Sequence, residues 1–213
     1  MDLRTRRRAL MMAVRESGRL PAAYQEVAWI GSNGNQYINT GIVPSDTSGM
    51  RLKAAINVAL ISTQDWAIVG VRQNSKRWFT AQSYRSWYWG WNNYHYTDNQ
   101  TATANVFDVL QLNYKNDRKF IVEGKNTQNI NETLYASFSV PAFIFAANDS
   151  GAAGMNAKCN IKFVEFTSGT DVVANFVPCY RKSDGVIGMY DTVGKAFYTN
   201  SGTGTFTKGA DVT

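Results

Sequence analysis

The stretch Met50–Leu60, MRLKAAINVAL, decides the fold class. Met50, Leu52, Ala54, Ile56, Val58 and Leu60 occupy alternate positions, with Arg51, Lys53 and Asn57 between them. A period of two is that of a β-strand, whose successive side chains point to opposite faces. One dry face and one wet face suit an antiparallel sheet packed on a core from one side. Ile56 is therefore expected inward and Asn57 outward. Working outward, Tyr24–Ile30, Gln36–Ile42, Trp66–Val71, Arg77–Gln82, Ser86–Trp91, Val106–Tyr114 and Arg118–Glu123 read as further strands. So do Ala142–Ala147, Lys158–Thr167, Val172–Val177, Val186–Tyr190 and Ala196–Thr199. Turn clusters punctuate them at Gly31–Gly34, Lys115–Asp117, Glu123–Asn126, Asn148–Gly154, Ser168–Gly169 and Ser183–Gly185. About a dozen short strands at this spacing predict a two-sheet sandwich. Val186–Tyr190, Ala196–Thr199 and Thr203–Thr207 are expected to form a terminal meander.

Composition agrees. Among 213 residues there are 17 Val, 11 Ile, 18 Thr, 11 Tyr and 11 Phe, against 8 Leu and 5 Glu. β-Branched and aromatic residues favour strands, and Leu and Glu favour helices. The formal net charge is +6. Residues 1–19 carry +4 of it, from six arginines against Asp2 and Glu16. The basic character thus belongs to a tail, which argues against a nucleic-acid-binding domain. Residues 1–17 read as a short helix with Leu10, Met11 and Val14 on one face, ended by Gly18 and Pro21. The expected division is a basic anchor segment at residues 1–19 and one domain at residues 20–213. The apolar run Ala9–Val14 is shorter than the ~7–15 residues of a secretory signal, and no segment is long enough to span a membrane. Cys159 and Cys179 read as two buried thiols, with a single bridge as the alternative.

The two ends of the domain resemble one family. LPAAYQEVAWIGSNGNQYINTGI (Leu20–Ile42) and VVANFVPCYRKSDGVIGMYDTVGKAFYTNSGTGTFTKG (Val172–Gly209) resemble laminin-G-like, concanavalin-A-like jelly-roll domains of phage and prophage tail or surface proteins. LQLNYKNDRKFIVEGK (Leu110–Lys125) is similar to a strand–turn–strand element of such folds. The resemblance implies an all-β, two-sheet antiparallel jelly roll. It also implies a non-enzymatic structural or receptor-binding part of a phage particle that binds host glycans. A bacterial surface or secreted carbohydrate-binding module is the alternative, and a glycoside hydrolase or lyase ranks last. A virion location after assembly in the bacterial cytoplasm is expected, with the cell surface as the alternative. Expected partners are other virion or surface proteins, a glycan and further copies of the chain.

Candidate contact residues cluster in SWYWGWNNYHY (Ser86–Tyr96). Period two places Trp87, Trp89 and Trp91 on one face and Tyr88 on the other. Flat indole faces stack on sugar rings, and Arg85, Asn92, Tyr94 and His95 could serve hydroxyls or a neighbouring subunit. The competing reading is that one face of this strand is core between the sheets. Arg4, Arg6, Arg7, Arg8, Leu10, Met11 and Val14 form the candidate anchor. No catalytic constellation is expected: the acids are scattered, and His95 is the only histidine. No cofactor and no metal site is expected. Calcium is the one exception weighed: such folds often bind it at a rim, and Asp46, Asp149 and Asp171 lie in expected loops, but they do not form an acid-rich loop.

Overall fold

The computed structural model describes residues 19–56, 65–83 and 86–213, with the main chain alone for residue 83 and residues 94–101. The anchor helix expected over residues 1–17 lies outside the described residues, as do Asn57, Val58 and Leu60. Among the described residues nineteen strands run in chain order. They are β1 (Tyr24–Glu26), β2 (Ile30–Gly31), β3 (Ile38–Asn39), β4 (Ser48–Ile56), β5 (Trp66–Gln73), β6 (Lys76–Ser83), β7 (Ser86–Asn92) and β8 (Tyr94–Thr101). There follow β9 (Asp108–Leu112), β10 (Lys119–Val122), β11 (Asn126–Asn129), β12 (Phe143–Ile144), β13 (Ala147–Asp149) and β14 (Ala152–Gly154). The last five are β15 (Cys159–Ser168), β16 (Asp171–Arg181), β17 (Ile187–Asp191), β18 (Ala196–Thr199) and β19 (Thr207–Lys208). They form the expected all-β, two-sheet sandwich. The larger sheet has the order β11-β10-β9-β4-β15-β16-β17-β18, with β1 on β16, and β2 joining β15 to β19. The smaller has the order β14-β13-β5-β6-β7-β8, with β12 attached to β5 and β3 to β12. Among the described strands pairing is antiparallel except between β13 and β5, and an isolated bridge from Ala67 to Asn156 is also parallel. No helix of the described residues is long and apolar enough to cross a membrane.

The alternation read in β4 is observed over Met50–Ala54, while Ala55 on the other face is buried as well. Met50, Leu52, Ala54 and Ile56 are buried, and Arg51 and Lys53 are half-buried on the other face. β15 breaks strict alternation, since Ile161 and Val164 are both buried. A bulge between Ile161 and Phe163 inserts one residue against β4 and restores the inward face. Within the smaller sheet, β5 and β6 approach closely at Gly70, where a Cβ would lie 2.2 Å from Phe79 Cβ and 2.3 Å from the Trp78 carbonyl oxygen. The terminal meander differs from expectation. β17 and β18 form the hairpin, but β19 leaves them to pair with β2. The reason is local: Asn200 Oδ1 accepts from Gly202 N–H (2.8 Å) and Tyr37 N–H (3.1 Å), which turns the chain away from β18. The C-terminus then runs along residues 26–31, with Gly209 N–H donating to Trp29 O and Val212 N–H to Glu26 O.

The tryptophan strand supplies the join between the sheets. Trp87, Trp89 and Trp91 are all buried against the larger sheet, and each indole N–H finds a different acceptor. Trp87 donates to Asp108 Oδ2 on β9 (2.7 Å), Trp89 to Gln128 Oε1 on β11 (2.8 Å) and Trp91 to Glu132 O (3.0 Å). Trp89 stacks on Phe120 with centroids 5.8 Å apart. Asn92, fully buried with a left-handed backbone (φ 57°), continues the row. Its Oδ1 accepts from Tyr135 N–H (2.9 Å) and Ala136 N–H (3.1 Å). It thereby ties a strap, with Leu134, Ala136 and Phe138 pointing inward, across one edge of the core. Buried polar groups are tolerated only when bonded, and this row meets that condition strand by strand.

Candidate functional site

Three stretches of sequence meet at a cleft of about 650 Å³: the β2–β3 loop, the first residues of β5 and the β14–β15 connection. Its polar lining is Asn33, Asn35, Asp65, Asn156 and Lys158, with the edge of Trp66 beside them. The loop is rigid because Gln36, only 2% exposed, pins it from beneath. Gln36 Oε1 accepts from Asn33 N–H (3.0 Å) and from the Ser32 hydroxyl (3.2 Å), and Nε2 donates to Thr203 O (3.1 Å). Gly34 N–H donates to Ser32 Oγ (3.1 Å), and Thr203 N–H to Asn35 O (3.0 Å). The Asn33 and Asn35 side chains are left exposed at the mouth.

The opposite wall is built on the same glycine. Asn156 Nδ2 donates to Gly34 O (3.1 Å), which fixes the amide and leaves Oδ1 as a buried acceptor without a partner among the described residues. Gly34 adopts φ +100°, and a Cβ there would approach Lys158 Cε to 3.2 Å and Cγ to 3.4 Å. The lysine stem therefore lies along the glycine, an approach that a larger residue would obstruct. Asp65 faces the Tyr88 phenol. Burial, and then the Asp65 charge, push the ionisation of that phenol well above its usual range. Such an array offers amide donors and acceptors, one carboxylate, one ammonium and an indole edge. It can take hydroxyl-rich ligands by multiple directional hydrogen bonds. A second recess of about 410 Å³ lies between residues 184–187 and 199–206. Its two main polar side chains are committed within the fold. Asp184 is held by Arg181, and Asn200 Nδ2 donates to Gly204 O (2.9 Å).

The solved structures bear on this geometry. This fold is shared with a candidate carbohydrate-binding protein. That protein comes from Bacteroides ovatus ATCC 8483, and the similarity has a TM-score of 0.59 at 14% identity. The match covers 88% of this chain but 62% of the other, so this chain spans about three-fifths of its neighbour's length. At that identity the likeness shows the fold alone. No family model and no curated protein matches the chain.

The contact residues expected from the sequence are distributed differently. Trp87, Trp89, Trp91 and Asn92 are core, at most 3% exposed, which corrects the expectation of a surface platform. Tyr88 faces the other way but is also buried, with Phe79 and Ala81 and against Met155. It is the member of the set that comes next to the cleft, since both Met155 and Asp65 line the cleft. The strand simply has dry surfaces on both faces, so density of aromatic rings does not force exposure. Tyr94 and His95 belong to β8 by main-chain pairing with Trp91 and Gly90. Arg85 and the anchor residues Arg4, Arg6, Arg7, Arg8, Leu10, Met11 and Val14 lie outside the described residues. The three aspartates weighed for calcium do not converge. Asp46 is paired with Arg118 and Asp149 with Arg72, and no group of three or more His, Cys, Asp or Glu residues among the described residues could hold a metal ion. Cys159 and Cys179 are free and buried. The cleft residues escaped the sequence reading because SNGN (Ser32–Asn35) has only a turn signature, and Asp65, Asn156 and Lys158 are distant in sequence.

Proposed function

We propose that this chain is a non-enzymatic carbohydrate-binding β-sandwich whose ligand occupies the cleft of Asn33, Asn35, Asp65, Asn156 and Lys158. The observation that carries the proposal is the rigid, amide-rich wall held by Gln36 and Gly34. Fixed amides lose little entropy when they bond sugar hydroxyls, and preorganisation of this kind raises affinity. The shared fold with a candidate carbohydrate-binding protein supports the same reading. Among the described residues the cleft lining contains one carboxylate, Asp65, whereas acid–base glycoside hydrolysis generally uses two, spaced ~5–9.5 Å apart. That supports binding without turnover. The role in a phage particle rests on the sequence resemblance alone, while a glycan-binding module draws on both the cleft and the fold neighbour.

The test is calorimetric titration of the full chain with a panel of neutral and acidic oligosaccharides, repeated with Asn35→Ala and Asn156→Ala. Each substitution should weaken binding roughly 3- to 10-fold, the scale of one net hydrogen bond. Absence of binding across the panel, or variants that bind as the native chain does, would remove the proposal.

A further inference from the structure

The charge left unspent in the cleft points to a ligand class, and it rests on reading the cleft as a glycan site. Among the described residues two charged side chains line it, Asp65 and Lys158. Asp65 lies on the β5 side of the cleft, beside the Tyr88 phenol. Among the described residues Lys158 has no carboxylate partner, although seven ion pairs are formed elsewhere. Its stem is held against Gly34, the residue that also anchors Asn156. The ammonium is thus carried by a placed stem at the wall that presents the Asn156 amide. We infer that the cleft selects saccharides bearing an anionic group, a uronate carboxylate or a sulfate ester, with Lys158 as the charge partner and the three asparagines bonding ring hydroxyls.

The direction of preference follows from elementary electrostatics. A charge-assisted hydrogen bond is roughly twice as strong as a neutral one. A half-open cleft screens it less than bulk solvent does, yet the contact still weakens with added salt. Lysine acts as a compact point charge, so it accepts either anion without the planar geometry that an arginine would impose.

The experiment titrates the full chain with tri-galacturonate, its fully methyl-esterified form and a sulfated galacto-oligosaccharide, at low and at moderate salt. Native protein should bind an anionic ligand about tenfold or more tightly than the ester, and this margin should shrink as salt rises. Lys158→Met should abolish the margin, so that the anionic ligands and the ester bind alike. Lys182→Met, which removes the same charge from an exposed residue outside the cleft, should retain the margin. The galacturonate and sulfate arms separate the two anion sources. Equal binding of ester and anions, or an unchanged margin in Lys158→Met, overturns the inference and leaves the glycan reading intact. Failure to bind any of these ligands, together with silence across the wider panel, overturns both.

Discussion

Replacing Trp87 by Phe isolates one hydrogen bond of the inter-sheet row. Trp87 is fully buried and donates at 2.7 Å to Asp108 Oδ2. Asp108, 6% exposed, also accepts from Lys125 Nζ at 2.8 Å. Hydrogen bonds to a charged acceptor contribute ~1.5–3 kcal/mol. Lys125 remains to answer the charge after the substitution, so the lower part of that range applies. The smaller ring adds a packing loss, giving an expected cost of about 2–4 kcal/mol. Trp78 provides the matched control. It is equally buried and stacks on Phe166 at 6.2 Å, but its Nε1–H has no acceptor among the described residues. Trp78→Phe forfeits the same ring volume and relieves an unpaired donor, so it should cost at least ~1.5 kcal/mol less. Urea unfolding followed by far-UV circular dichroism, with slopes compared to confirm a common denatured state, measures both. Equal costs for the two variants, or a larger cost at Trp78, would refute the idea that the indole N–H groups bind the sheets together.

Three further outcomes follow from the same structure. Gly70→Ala should destabilise the domain by ~2 kcal/mol or more, because its Cβ would overlap Phe79 and the Trp78 carbonyl; a thermal midpoint within 2 °C of native, the shift from about 0.5–1 kcal/mol, would contradict this. Both thiols should resist Ellman's reagent in the native protein at pH 8 and react after denaturation, since burial pushes Cys179 up to about 12 and Cys159 higher still; rapid reaction of either in the folded state would show that the core opens. The Tyr114 phenol is pushed up to about 12 from 10.0, by burial first and then by its hydrogen bond to Glu165. Its contribution to stability is therefore fully present below about pH 10 and lost as pH rises through about 12, and Tyr114→Phe should flatten that alkaline loss.

The fold was legible where a strand has one wet face. Met50 to Ala54 alternates because Arg51 and Lys53 face solvent while their neighbours fill the core, and periodicity alone reports that division. Periodicity could not choose between surface and core for Trp87, Trp89 and Trp91, because an indole serves both and only the facing residues Asp108, Gln128 and Glu132 settle the matter. Strands β13 and β14 were hidden within Asn148–Gly154, which also has turn chemistry. Ser150 and Gly151 do turn, at φ 55° and 107°, but the flanking pairs form a ladder. β8 carries a mixed run, YHYTDNQT, with no alternation of apolar and polar residues to mark it. The cleft was least legible. Its members come from three distant segments, and its key support, Gln36, looks like any polar strand residue until its amide is seen bonding two loops.

The central claim is that a saccharide sits against the Gly34 wall. Chemical-shift mapping of the isotope-labelled full chain, titrated with the tightest oligosaccharide of the panel, tests it most directly. The side-chain amides of Asn33, Asn35 and Asn156 and the main-chain amides of Gly34 and Lys158 should shift together and saturate on one binding curve. The amides of the second recess around Asn200 and Gly204 should shift less. Saturable shifts confined to another face of the sandwich, with the Gly34 wall unmoved, would contradict the account.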